Sequence, residues 1–173
     1  MTTTPKEAPS AAPHSALAVT PIHVEHADEQ DIAAIASLNN LFAADGLTLN
    51  RTEAFVVSHL QDYQVVRDST GEVLGCVALD EYSPSLVELV SLAVSPCAQG
   101  QGIGKRLIAA ARELAGQRGY PELFAISLAD SLFLSMGFIE SSIERYPEKI
   151  ARYRQISRSE LSIGRKFCFS TTL

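Results

Sequence analysis

The sequence predicts an α/β fold of the α+β kind, with helices set among the strands of a mixed sheet, and three observations predict it. Apolar residues recur at helical spacing in two well-separated segments. Between those segments lies a series of short apolar runs joined by turn residues. A glycine-rich loop then carries the last of these runs into the second helix. The 173 residues suffice for one domain with a sizeable core, placed at 21–173. Residues 1–20 are rich in Thr, Pro, Ala and Ser and lack the apolar stretch of a secretory signal, so they read as a flexible tail.

Taken in order, residues 22–24 are a strand candidate, and 28–44 carry Ile32, Ile35, Leu38 and Phe42 on one helical face. Gly46 ends that helix, and Asn50 or Thr52 can cap a second one reaching Leu60. Residues 63–67 read as a strand, Asp68 to Gly71 as a hairpin turn, and 73–79 as the returning strand. Residues 87–94 form the next strand, stopped by Ser95 and Pro96. From 102 to 115, Ile103, Leu107, Ile108, Ala111 and Leu114 define a helix with one buried face, closed by Gly119. A strand at 123–126, a short helix at 130–136, a strand at 138–139 and a last strand at 167–169 complete the order, a mixture that excludes an all-parallel sheet.

A formal net charge of −6 argues against a general nucleic-acid binder, and no apolar run is long enough to span a bilayer. The charge is uneven, acidic up to Glu88 and basic beyond it, which suits an anionic ligand on the second half or a solvated basic surface. Cys76, Cys97 and Cys168 form no CxxC pair, and His14, His23, His26 and His59 share no metal spacing, so no metal is expected and a reducing cytoplasm fits.

The loop Gln99-Gly100-Gln101-Gly102-Ile103-Gly104 lies between a strand and a helix start, where glycines let backbone N–H groups approach a phosphate and the helix dipole favours negative charge. A plain tight turn would use the same glycines. Lys105 is followed by Arg106 rather than by a hydroxyl, so the loop is no nucleotide P-loop, and it lacks the third glycine of the dinucleotide fingerprint. Glu88 is a lone carboxylate on an otherwise apolar strand. That makes it a candidate general base, or else a residue of an exposed face or one that orients substrate through water.

Gln99, Gly102 and Gly104, preceded by Leu92-Ala93-Val94-Ser95-Pro96 and followed by Phe133-x-x-x-Gly137-Phe138, resemble the pyrophosphate-binding signature of the GNAT N-acetyltransferases. The resemblance implies a mostly antiparallel central sheet flanked by helices, with a bulge in the Glu88 strand and a splay between it and the 123–126 strand. It implies acetyl-coenzyme A as co-substrate, held by Leu92, Ala93, Val94, Gln99, Gly100, Gln101, Gly102, Ile103, Gly104 and Lys105. It also implies Glu88 as the base, a backbone N–H near Val94 polarising the thioester, and a homodimer as an assembly these folds often adopt. Many members place a Tyr where this chain has Phe133. Water, a hydroxyl such as Ser127, or direct expulsion must then serve the leaving thiolate.

From about 22 to 148 the chain also resembles the acetyltransferase domain of N-acetylglutamate synthases. The stretches that carry this are 46–52, 75–79, 87–94 and Phe133 itself. The implied acceptor is the α-amine of an amino acid such as glutamate, the acylation used in arginine biosynthesis. Arg51 and Ser127 would then bind it, with Arg158 and Arg165 standing in for a C-terminal Arg-Ser-Lys segment that neither matches cleanly. Two other readings stay open: another small amine, a protein N-terminus, a polyamine or an aminoglycoside as acceptor, or a non-catalytic acyl-coenzyme A sensor.

Overall fold

Asp28 and Asp31 start the first helix as a tight turn. The computed structural model, which describes residues 22–155 and 167–173, shows the Asp28 side chain accepting from the Gln30 N–H and the Asp31 side chain from the Asp28 N–H, both at 2.8 Å. A single 3₁₀ turn, Glu29–Asp31, therefore precedes α1 (Ile32–Ala43). The strand expected at 22–24 lies instead at β1 (Glu25–His26), where Glu25 and His26 pair antiparallel with Val65 and Gln64. Thr52 caps α2 (Glu53–Ser58) by accepting from the Phe55 N–H at 3.1 Å.

The meander follows as read: β2 (Tyr63–Arg67), β3 (Val73–Ser83) and β4 (Leu86–Val94). Then come α3 (Ile103–Gln117), β5 (Glu122–Ser127), α4 (Asp130–Ser135), β6 (Ile139–Ser141), α5 (Pro147–Tyr153) and β7 (Phe167–Thr172). The strands make one sheet in the order β1-β2-β3-β4-β5-β7-β6. Every neighbouring pair is antiparallel except β4 with β5. The last strand runs three residues beyond the expected 169, because Ser170, Thr171 and Thr172 pair with Phe124, Leu123 and Glu122.

α3 covers one face of the sheet. Ile103, Leu107, Ile108, Ala111 and Ala115 are all buried there against Val77, Leu79, Val87, Leu89, Leu123 and Ala125. Each fully buried aliphatic side chain contributes about 1.5–3 kcal/mol. The contact is closest at Gly75 on β3. A Cβ there would lie 2.9 Å from Ile103 Cγ2 and 3.0 Å from Leu107 Cδ1, so only glycine lets the helix start sit directly on the strand. The opposite face is shared. Ile35 and Leu38 of α1 and Val56 of α2 pack over Tyr63, Val65, Cys76 and Ala78. Tyr146, at the entrance to α5, stacks on Phe124 of β5 with ring centroids 4.0 Å apart.

Two irregularities open the middle of the sheet. On β4, Val90 faces Ala78 and Ala93 faces Cys76, so three steps oppose two and Ser91 bulges with φ of 54°. The Tyr63 hydroxyl donates to Ser91 Oγ at 3.2 Å and the Cys76 thiol to the Ser91 carbonyl at 3.4 Å, fixing a conformation that costs a non-glycine residue about 1–2 kcal/mol. Beyond Leu89↔Ala125 the parallel pairing of β4 and β5 stops, and the strands splay.

Candidate active site

The splay opens into two adjoining cavities. The larger, about 830 Å³, runs from the bulged end of β4 along the loop before α3. The smaller, about 70 Å³, lies over Glu88, and Leu47, Thr48, Leu92 and Ser127 line both.

One wall of the large groove is the stretch from Leu92 to Lys105, where main-chain conformation matters most. Gly100 and Gly102 have φ of 78° and 83°, and a Cβ on either would meet nothing within 4 Å, so the backbone angle rather than space requires glycine. Gly102 is the residue before α3, whose first N–H groups have no intrahelical acceptor and give that end a partial positive charge. Lys105 adds a cation at the rim. Gln99 Nε2 donates to the Val94 carbonyl at 3.2 Å and ties the loop to β4. A Cβ on Gly104 would stand 3.4 Å from Leu132 Cδ2, in ordinary van der Waals contact, so neither space nor backbone angle requires glycine there. Leu92, Ala93, Val94, Gln99, Gly100, Gly102, Ile103, Gly104 and Lys105 all line the groove. The Ile103 side chain is buried in the core, leaving its main chain to the groove. Gln101 is absent from the lining, its side chain donating to the Cys97 carbonyl at 3.5 Å. A long donor with a pyrophosphate fits these features: left-handed glycines beside a free helix start, then an open strand edge leading inward.

The small cavity is built from side chains. Glu88, 3% exposed, accepts from Lys149 Nζ at 2.7 Å and from the Tyr82 hydroxyl at 2.8 Å, both on Oε2. Directly across on β3, Asp80 is buried and accepts from Arg152 Nη1 at 2.5 Å. The Arg152 guanidinium in turn lies 3.9 Å from the centroid of the Tyr82 ring. One turn of α5 thus supplies a cation to each of two facing carboxylates. Burial, then the charges of Glu88 and Asp80, push the Tyr82 phenol far above its ordinary range, so it stays a donor. Glu81 is also engaged, accepting from the Tyr120 hydroxyl.

Arg51 approaches from the other side of the cavity. Its backbone is clamped by Asn40, which accepts from the Arg51 N–H and donates to the Arg51 carbonyl, each at 2.8 Å. The guanidinium lies 4.1 Å from the centroid of the Phe55 ring, and its Nε is buried with no hydrogen-bond partner among the described residues. Among the described residues, the lining brings two cations, Arg51 and Lys149, beside one carboxylate, Glu88.

Ser127 stands where the two cavities meet, its Oγ accepting from the Ala129 N–H at 3.0 Å. Phe133 also lines the small cavity, but its ring belongs to the core, 5.4 Å from Phe169 and 5.1 Å from Phe138 between centroids. Tyr153 brings a second hydroxyl, held protonated by burial and by the charge of Glu88. Arg158 and Arg165 lie outside the described residues.

Sequence reasoning missed Lys149, Arg152, Tyr153 and Tyr82. Lys149 and Tyr153 share a helix face at i, i+4, and Pro147 followed by Glu148 is a helix-start signal that could have revealed it. Among the described residues no group of three or more His, Cys, Asp or Glu could hold a metal ion, and no helix is long and apolar enough to cross a membrane.

A bulged strand, a splayed neighbour and a glycine-capped helix over a long groove define a coenzyme A-dependent acyltransferase. The profile of the Acetyltransferase (GNAT) domain matches residues 59–140. An uncharacterised N-acetyltransferase of Chlorobaculum tepidum is 33% identical over 129 residues, 75% of this chain and 83% of that protein. The amino-acid acetyltransferase of Neisseria meningitidis is 30% identical over 148 residues, covering 84% of this chain and 34% of that protein. Among solved structures, N-acetylglutamate synthase from Neisseria gonorrhoeae, complexed with coenzyme A and N-acetylglutamate, superimposes with a TM-score of 0.78 at 28% identity. That match covers 89% of this chain and 35% of the synthase. The chain spans about a third of the length of these Neisseria proteins. The protein belongs to the GNAT acetyltransferase family: it is an N-acetyltransferase that uses acetyl-coenzyme A.

Proposed function

We propose that the protein acetylates the α-amino group of an acidic amino acid, with L-glutamate as the leading acceptor, in the cytoplasm. The observation that carries this is Arg51, whose buried Nε has no partner among the described residues and which faces the cavity that holds Glu88 and Lys149. An amino acid carries the complementary charges: a carboxylate for the cations and an ammonium for Glu88. Polyamines and aminoglycosides would need carboxylates beyond Glu88 for their further cations. Asp80 is matched by Arg152 and Glu81 by a phenol. A space of about 70 Å³ suits the backbone end of an amino acid better than the linked rings of an aminoglycoside.

Acetyl-coenzyme A supplies the activated acetyl group. Glu88 takes a proton from the acceptor ammonium, directly or through one water, and frees the nitrogen lone pair. A backbone N–H near Val94 stabilises charge on the acetyl oxygen. Ser127 and Tyr153 bring hydroxyls to the cavity lining from which the departing sulfur can take a proton, since the Phe133 ring has none to give. The three cysteines are unpaired, in keeping with a reducing compartment.

The test is thiol release from acetyl-coenzyme A with a panel of glutamate, glutamine, aspartate, a polyamine and an aminoglycoside. Release with glutamate or aspartate supports the proposal. Release with only the cationic amines overturns it.

A further inference from the structure

Glu88 is held asymmetrically. Both of its donors, Lys149 Nζ at 2.7 Å and the Tyr82 hydroxyl at 2.8 Å, reach Oε2, and among the described residues no donor reaches Oε1. The carboxylate is fixed by one oxygen, and the other is left to the cavity that Glu88 lines. A carboxylate turning freely about its terminal torsion would present either oxygen over a broad range of angles. Two convergent donors remove that freedom.

Tyr82 is itself restrained. The Arg152 guanidinium covers its ring at 3.9 Å, Phe124 lies 6.0 Å away on a tilted plane, and Arg152 is anchored by Asp80. Asp80 faces Glu88 in the β3–β4 register, so the chain of contacts starts and ends on adjacent strands of one sheet: Asp80, Arg152, Tyr82, Glu88. It runs through α5, and none of these contacts needs a bound ligand.

We propose that Tyr82 is a positioning residue for acetyl transfer, tying Glu88 by Oε2 together with Lys149 so that Oε1 points at the acceptor nitrogen. The inference rests on the reading of Glu88 as the base. Tyr82 lines neither cavity. It acts by holding the base in the orientation from which a proton can be taken, and a misdirected carboxylate is a poor base even when ionised.

The experiment compares Tyr82→Phe, Glu88→Gln and the double variant in the full chain, using whichever amine of the panel gives the fastest thiol release. Product is followed by mass spectrometry over hours so that slow variants are measured. Phenylalanine keeps the ring under Arg152 and removes only the hydroxyl. The expected result is a kcat about tenfold lower for Tyr82→Phe, with KM for both substrates within about twofold of the parent. In the Glu88→Gln background the same change should have no further effect, because there is no base left to aim. An unchanged kcat for Tyr82→Phe, alongside a large fall for Glu88→Gln, overturns this inference alone. An equal proportional fall in both backgrounds also overturns it, since Tyr82 would then act independently of Glu88. A Glu88→Gln variant with parental kcat overturns the base reading and this inference with it.

Discussion

The donor groove and the acceptor cavity adjoin, yet they are made differently. The groove takes its glycine conformations and helix start from a single stretch, the end of β4 through the first turn of α3, while residues of α1, the loop before α2, β5 and α4 complete its lining. The cavity takes its charged side chains from three distant places: Arg51 before α2, Glu88 on β4 and Lys149 on α5. A backbone-built site needs glycines at fixed spacing and tolerates change elsewhere. A side-chain-built site can be retuned by single substitutions, which suits a fold that keeps one donor while its acceptors vary.

That contrast can be broken most forcefully at Glu88. Replacing it with Gln should lower kcat about 10²–10⁴-fold while acetyl-coenzyme A binding, measured by calorimetry, stays at the parental affinity. A loss of donor affinity would show that the two cavities are not separable. Arg51→Ala comes next. It should raise the acceptor KM about 10–100-fold with kcat little changed, because a charge-assisted pair contributes roughly 1.5–3 kcal/mol and the Asn40 clamp grips only the main chain. An unchanged acceptor KM would remove the carboxylate-binding role. Gly102→Ala addresses the other side. With φ at 83° the new residue is strained by about 1–2 kcal/mol, and the KM for acetyl-coenzyme A should rise roughly tenfold while the acceptor KM holds. Gly75→Ala is the mildest for the chemistry. Its methyl would press on Ile103 and Leu107, costing about 1–3 kcal/mol of stability in a thermal melt and leaving kcat near the parent value.

The groove was legible in the sequence for the same reason that it is built from backbone. Glycine spacing, the preceding Ser-Pro stop and the apolar stripe from Ile103 to Leu114 are local signals, and β2, β4 and α3 fall within a few residues of their expected bounds. Of the cavity, Glu88 and Arg51 were legible, the first as a carboxylate in an apolar strand and the second through resemblance. α5 was not, because seven residues with Glu148, Lys149 and Arg152 among them are too few to show an apolar periodicity. Its reason for lying where it does is long-range: Lys149 and Arg152 neutralise Glu88 and Asp80, which precede them by 61 and 72 positions. The polar end of β7 has a long-range reason too: Ser170, Thr171 and Thr172 are held by pairing with β5. The short N-terminal strand shifted because the Asp28 and Asp31 caps fix the entry of the chain into α1.

The parallel junction of β4 and β5 amounts to three facing residue pairs, and through it the two halves of the sheet are stitched together. A molecule seated in the splay is therefore part of the architecture as well as a reagent, a removable rung bridging two half-sheets. Its concentration then sets how firmly the halves cohere. At a hundredfold excess over its dissociation constant, a ligand of the folded state adds about 2.7 kcal/mol, which for a chain of this size is roughly 5–10 °C in melting temperature. Amide exchange should slow most in Val90 to Val94 and in Ile126 and Ser127, the two unstitched edges. In a cell short of acetyl donor the enzyme would be not merely idle but looser along that seam.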